Sequence, residues 1–74
     1  DLPMYSQYVI ALIKKNELDK AKLELQEMVT RYSHLTRPTK QDENAIYCVY
    51  NYWITYYINQ QKTSDALALF ADAV

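Results

Sequence analysis

Apolar residues recur along this chain with the period of a helix. Tyr5, Tyr8, Val9 and Leu12 fall at i, i+3, i+4 and i+7 and predict a first helix with one apolar stripe. Leu18, Ala21, Leu25, Met28 and Tyr32 predict a second. The short polar run Lys14-Lys15-Asn16-Glu17 separates them. Lys14 and Lys15 suit the negative end of a helix dipole, while Glu17 and Asp19 suit the positive start of the next helix. Asn16, three residues before Asp19, is expected to cap that second helix. The stretch Ser33 to Gln41 breaks the pattern, because Pro38 disfavours helix at Arg37 and turn formers dominate. Thr39 and Asp42 form a capping-box pair, and a third helix is expected from about Gln41 to Gln60. Thr63 or Ser64 is expected to cap a fourth helix that carries Ala66, Leu69, Phe70 and Ala73. Nothing alternates with the period of a strand, so the fold class is all-α.

The third helix is wider in its apolar surface than the others. Ile46, Val49, Trp53 and Tyr56 make one stripe, and Tyr50, Ile54, Tyr57 and Ile58 make a second beside it. Six aromatic residues lie between Tyr47 and Tyr57. Such a surface implies a helix covered on two sides, with the aromatics as packing groups between helix pairs rather than a stack for bases.

Composition narrows the chemistry. The chain has 74 residues and no glycine, where average usage of about 7% predicts roughly five. A phosphate-cradling loop or a dinucleotide fingerprint is thereby excluded. One cysteine, Cys48, and one histidine, His34, cannot form a disulfide or close a zinc site from this chain alone. Cys48 reads as a small buried apolar group, and His34 as a residue after a helix C-terminus. The acids are scattered and no nucleophile–base pair is visible, so no catalytic residue, metal or cofactor is expected and the chain is not expected to be an enzyme. No apolar run approaches the 18 or so residues of a membrane span, so no membrane partner is expected. The net charge is −1. In the first forty residues seven cations face five acids, a net of +2, and the remainder carries −3. That split is a mild one for a nucleic-acid binder. Starting at Asp1 and ending at Val74 within an apolar pattern, the chain is expected to be part of a longer one with neighbouring repeats.

The two halves superpose in sequence. Leu12 to Met28 aligns with Tyr57 to Ala73 at a shift of 45 residues, placing Ala21 on Ala66, Leu25 on Phe70 and Asn16 on Gln61. A small residue at the Ala position lets two helices of a hairpin approach closely. The expected organisation is a first helical-hairpin repeat over 2–36, an inter-repeat insertion loop and helix start over 37–46, and a second hairpin over 47–74. Two stacked antiparallel hairpins of this sort resemble tetratricopeptide and pentatricopeptide repeats, a likeness that implies a fragment of an α-solenoid with a right-handed superhelix.

The residues also resemble the pentatricopeptide family. Tyr5-Ser6 and Tyr50-Asn51 stand where that family opens a unit with an aromatic and a small polar residue. The run from Lys15 to Met28 matches its closing Ala and Leu-Glu-Met pattern, and SDALALF from Ser64 to Phe70 continues the match in the second unit. The family's turn glycine is Asn16 in one unit and Gln61 in the other. The resemblance implies an array that binds single-stranded RNA at one base per repeat and acts on organellar transcripts, hence a mitochondrial location. It implies base reading by Ser6, Asn51 and Thr36, with Lys14, Lys15, Arg37 and Lys40 contacting the RNA backbone or a partner. Tetratricopeptide repeats share the turn–Ala–aromatic spacing, and that resemblance implies instead a protein–protein scaffold or an assembly subunit.

Overall fold

Asp1 opens the first helix by accepting the Met4 N–H on its side chain at 3.0 Å, and Pro3 sits in the first turn, where its missing N–H costs nothing. The computed structural model describes all residues, Asp1–Val74, as four helices without strands: α1 Leu2–Lys14, α2 Leu18–Ser33, α3 Lys40–Asn59 and α4 Thr63–Ala73.

The turns after α1 and α3 are the same structure. Asn16 and Gln61 both adopt the left-handed conformation, at φ 62° and 60°. The Asn16 N–H donates to the Ile13 carbonyl and the Glu17 N–H to that of Leu12, each at 2.9 Å. Forty-five residues on, the Gln61 N–H donates to Ile58 and the Lys62 N–H to Tyr57, again at 2.9 Å. Both are Schellman closures, which normally place glycine at the left-handed position. This geometry corrects the expected caps. Asn16 ends α1 instead of capping α2, whose N-cap is Glu17 without a side-chain bond. Lys62, not Thr63 or Ser64, holds the N-cap position of α4, again without a side-chain bond. The chain turns so sharply after each left-handed residue that the very next residue must begin the new helix. Asp19 and Asp65 in the first turns still complement the dipoles.

The capping box of α3 forms as expected. The Asp42 N–H donates to Thr39 Oγ1 at 3.1 Å, and the Thr39 N–H donates to Asp42 Oδ2 at 2.9 Å. The helix begins at Lys40, so residues 40–46 are its first two turns and the linker between the pairs is 34–39. α3 has 20 residues and starts seven residues earlier, in the shifted register, than the 13-residue α1.

α3 is the centre of the molecule. It packs against α1, α2 and α4; α1 also packs against α2, and α4 touches α3 alone. Twelve of 74 residues are buried, and Ser6 is the only polar one. Val9 and Ile13 of α1, Met28 of α2 and Val49 and Trp53 of α3 form the heart of the core. The expected stripes divide here. Val9, Leu12, Leu25, Met28, Val49 and Trp53 are buried, whereas Tyr8, Ile58 and Phe70 are exposed. Two tyrosine hydroxyls tie the core together. Tyr5 donates to Glu24 Oε1 at 2.6 Å across α1 and α2, and Tyr56 donates to Asn16 Oδ1 at 2.8 Å, from α3 to the first turn.

Candidate interaction surfaces

Because α2 and α4 each rest on α3 without touching each other, an open groove runs between them. Its floor is Tyr50, Trp53 and Tyr57 of α3, and Leu25, Val29 and Leu69 line its walls; its volume is about 590 Å³. The rims differ in charge, with Lys22 on the α2 side and Asp65 and Asp72 on the α4 side. A second hollow of about 290 Å³ shares Val29, Tyr50 and Asp72 with the first and extends it to Ile46 and Tyr47. From Ile46 to Tyr57 at 1.5 Å per residue, the combined groove follows α3 for roughly 16 Å, or three turns.

Burial raises the pKa of the Tyr50 hydroxyl, and the nearby Asp72 carboxylate raises it further. Trp53 Nε1 is closed to solvent and has no hydrogen-bond partner. Leaving such a donor unpaired costs about 1–3 kcal/mol, so the indole is held there by packing. Tyr57 lies tilted against both Trp53 and Tyr56, with ring centroids 6.1 and 6.2 Å away. The double apolar stripe of α3 foreshadowed this aromatic floor; the acidic rim, contributed by α4, had no signal beyond scattered charges.

Of the residues expected to read bases, Ser6 and Asn51 share a register but not an environment. Asn51 is exposed on α3, and Thr36 is exposed in the linker. Ser6 is buried, and its hydroxyl donates to the Pro3 carbonyl at 2.6 Å, so the side chain is turned into its own helix rather than outward. The cations do not converge. Lys14, Lys15, Arg37 and Lys40 are all exposed. The Lys14 ammonium stands 5.9 Å from the Tyr52 ring centroid, beside the C-terminal half of α3. Arg37 and Lys40 lie at the opposite end, and Lys40 is roughly 16 Å along the axis from Asn51.

Cys48, expected in the core, is exposed. A cysteine on α3 is buried only where a neighbouring helix covers it, and none covers this position. His34 is the C-cap residue of α2, in the place expected for it. No cluster of three or more His, Cys, Asp or Glu residues comes together to hold a metal ion. No helix is long and apolar enough to cross a membrane.

Comparison with known proteins adds no relative: no family model matches the chain, and no curated protein or solved structure matches it.

Proposed function

We infer that this chain is a non-catalytic helical-repeat interaction module whose α2–α4 groove takes an amphipathic helix from a protein partner. The observation that carries this is the groove itself, held open over Tyr50, Trp53 and Tyr57 for about three helical turns. Burying an apolar helix face there removes aromatic and aliphatic surface from water. The opposed rims, Lys22 against Asp65 and Asp72, orient a helix with acidic residues on one flank and basic residues on the other. The matching Schellman turns 45 residues apart support placing the two helix pairs in a tetratricopeptide-like α-solenoid with further repeats beside them.

A second reading, single-stranded RNA binding of the pentatricopeptide kind, is favoured by one feature. Tyr47 and Asn51 are exposed one turn apart on α3, an aromatic face for stacking beside an amide for a base edge. A mitochondrial location enters only with this reading.

Trp53 is the chain's single tryptophan and reports on the groove directly. The test titrates the protein with a Leu-faced amphipathic peptide of 14 residues and, separately, with oligouridylate at low and raised salt. Saturable quenching or enhancement by the peptide, abolished in Val29→Asp, is the expected result. Salt-sensitive RNA binding that disappears in Asn51→Ala, with no peptide response, would transfer the conclusion to the second reading.

A further inference from the structure

We propose that the groove selects its helix through one polar contact: Tyr50 on the floor donates its hydroxyl to an uncharged acceptor, the side-chain amide of a glutamine set in the middle of the docking helix's apolar face. This rests on the groove reading and adds to it the residue that discriminates among helices.

The first helix pair shows what such a tyrosine does when a helix covers it. Tyr5 and Tyr50 are counterparts at the 45-residue shift. The Tyr5 hydroxyl donates to Glu24 Oε1 of α2 at 2.6 Å, so its polar end is satisfied within its own hairpin. The counterpart of Glu24 is Leu69, which lines the groove and accepts nothing. Of the eight tyrosine hydroxyls only those of Tyr5 and Tyr56 donate within the chain, and that of Tyr50 has no partner. The missing acceptor is thus a difference inside the second hairpin itself.

Covering the groove makes that difference matter. While the groove is open, water serves the hydroxyl. A docked helix expels the water, and an acceptor must replace it or the donor is left buried and unpaired. Burial already raises the pKa of this hydroxyl, the mark of a poorly hydrated phenol. The other polar groups of the floor do not compete for the role. Trp53 Nε1 is closed off within the packing, and Tyr57 stands at one end of the floor, tilted against Trp53 and Tyr56. Tyr50 belongs to both hollows and lies near the midpoint of the groove.

Charge sets the kind of acceptor. In the first pair a carboxylate serves, with the Arg31 guanidinium 4.9 Å from the Tyr5 ring centroid. The second hollow gives Tyr50 two acids, Glu43 and Asp72, and no cation. Lys22 is seven residues before Val29, about 10 Å along α2 from the part of the wall that Tyr50 shares. A carboxylate over Tyr50 would lose its water beside Asp72 without a counter-charge. A neutral amide accepts the same hydrogen bond, and its NH2 group is free to donate to Asp72.

Three Leu-faced amphipathic peptides of 14 residues test this, identical except for Gln, Met or Glu at the centre of the apolar face, with Trp53 fluorescence as the readout. Met matches Gln in length and carries no strong acceptor. Circular dichroism first establishes that Tyr50→Phe and Asp72→Asn keep the helical content of the wild type. The wild type is expected to bind the Gln peptide most tightly, with the Glu peptide roughly tenfold weaker. In Tyr50→Phe the Gln-to-Met affinity ratio should fall roughly tenfold, because the phenol that the amide served is gone. In Asp72→Asn the Glu peptide should recover severalfold. The proposal is overturned if Met or Glu binds the wild type as tightly as Gln, if the Gln-to-Met ratio is the same in Tyr50→Phe, or if Asp72→Asn leaves the Glu peptide as weak as before. Those results leave the groove reading standing, since the peptides still bind; binding of none of the three removes the groove reading and this proposal together.

Discussion

Replacing Gln61 with glycine should raise the melting temperature, whereas the same replacement at Asn16 should lower it, although the two backbones are superposable. Both residues occupy the left-handed region, at φ 60° and 62°. For an ordinary L-residue that conformation costs about 1–2 kcal/mol, and glycine relieves it. Glycine also loosens the unfolded chain, giving back about 0.4–1 kcal/mol. Gln61 makes no side-chain hydrogen bond, so the net gain there is about 0.5–1 kcal/mol. Asn16 begins from a smaller penalty, because asparagine tolerates this region. Its side chain also accepts the Tyr56 hydroxyl at 2.8 Å, a bond worth about 0.5–1.5 kcal/mol that glycine removes. The net effect at Asn16 is a loss of about 0.5–1 kcal/mol. In a domain of this size 1 kcal/mol moves Tm by roughly 4–8 °C, so the two variants should separate by about 5 °C or more in thermal unfolding followed at 222 nm. In a Tyr56→Phe background the Asn16→Gly loss should vanish. Equal shifts for the two glycine variants, or a fall in Tm for Gln61→Gly, would refute the reasoning.

Other perturbations have equally definite outcomes. Ile13→Ala should cost about 2–5 kcal/mol in urea unfolding, and Ile58→Ala less than about 0.5 kcal/mol, because only the first is enclosed. Thr39→Ala should cost about 1 kcal/mol by opening the α3 capping box, and Thr39→Ser should restore most of it. At alkaline pH the fold should weaken. Burial and the Glu24 carboxylate push the Tyr5 hydroxyl up to about 12, and burial with Asp72 raises Tyr50. The folded state therefore holds protons that the unfolded chain releases near pH 10. This stability is complete below pH 10 and lost as pH rises toward 12. The urea midpoint should fall across that window, and less steeply in Tyr5→Phe.

Local chemistry was legible in the residue pattern, and long-range chemistry was not. The Thr39–Asp42 box spans three residues and forms as read. The α2 stripe from Ala21 to Met28 is buried as its spacing implied. The caps expected at Asn16 and at Thr63 or Ser64 do not form, because a polar residue beside a helix can end the preceding helix as readily as start the next. With no glycine in the chain, the left-handed turn was marked only by the alignment of Asn16 and Gln61 with the turn glycine of pentatricopeptide repeats. Periodicity located the apolar faces of Tyr8 and Phe70 but not whether a neighbour covers them. Their exposure follows from the order of the helices, which is a property of the whole chain. The Tyr5–Glu24 and Tyr56–Asn16 bonds join residues 19 and 40 positions apart, where no spacing rule operates. For the same reason Ser6 and Asn51 looked alike in sequence: only the placement of α3 over α1 buries one and leaves the other open.

The fastening of every helix through α3 has a mechanical consequence. Tension applied at Val74 would unzip α4 from a single partner, turn by turn, at low force. Tension applied at Asp1 must shear α1 away from two partners at once, breaking the Tyr5 and Tyr56 links together. Drawn between Asp1 and Val74 the chain carries the same force at both ends, so α4, held by α3 alone, should come away first and α1, held by two partners, later.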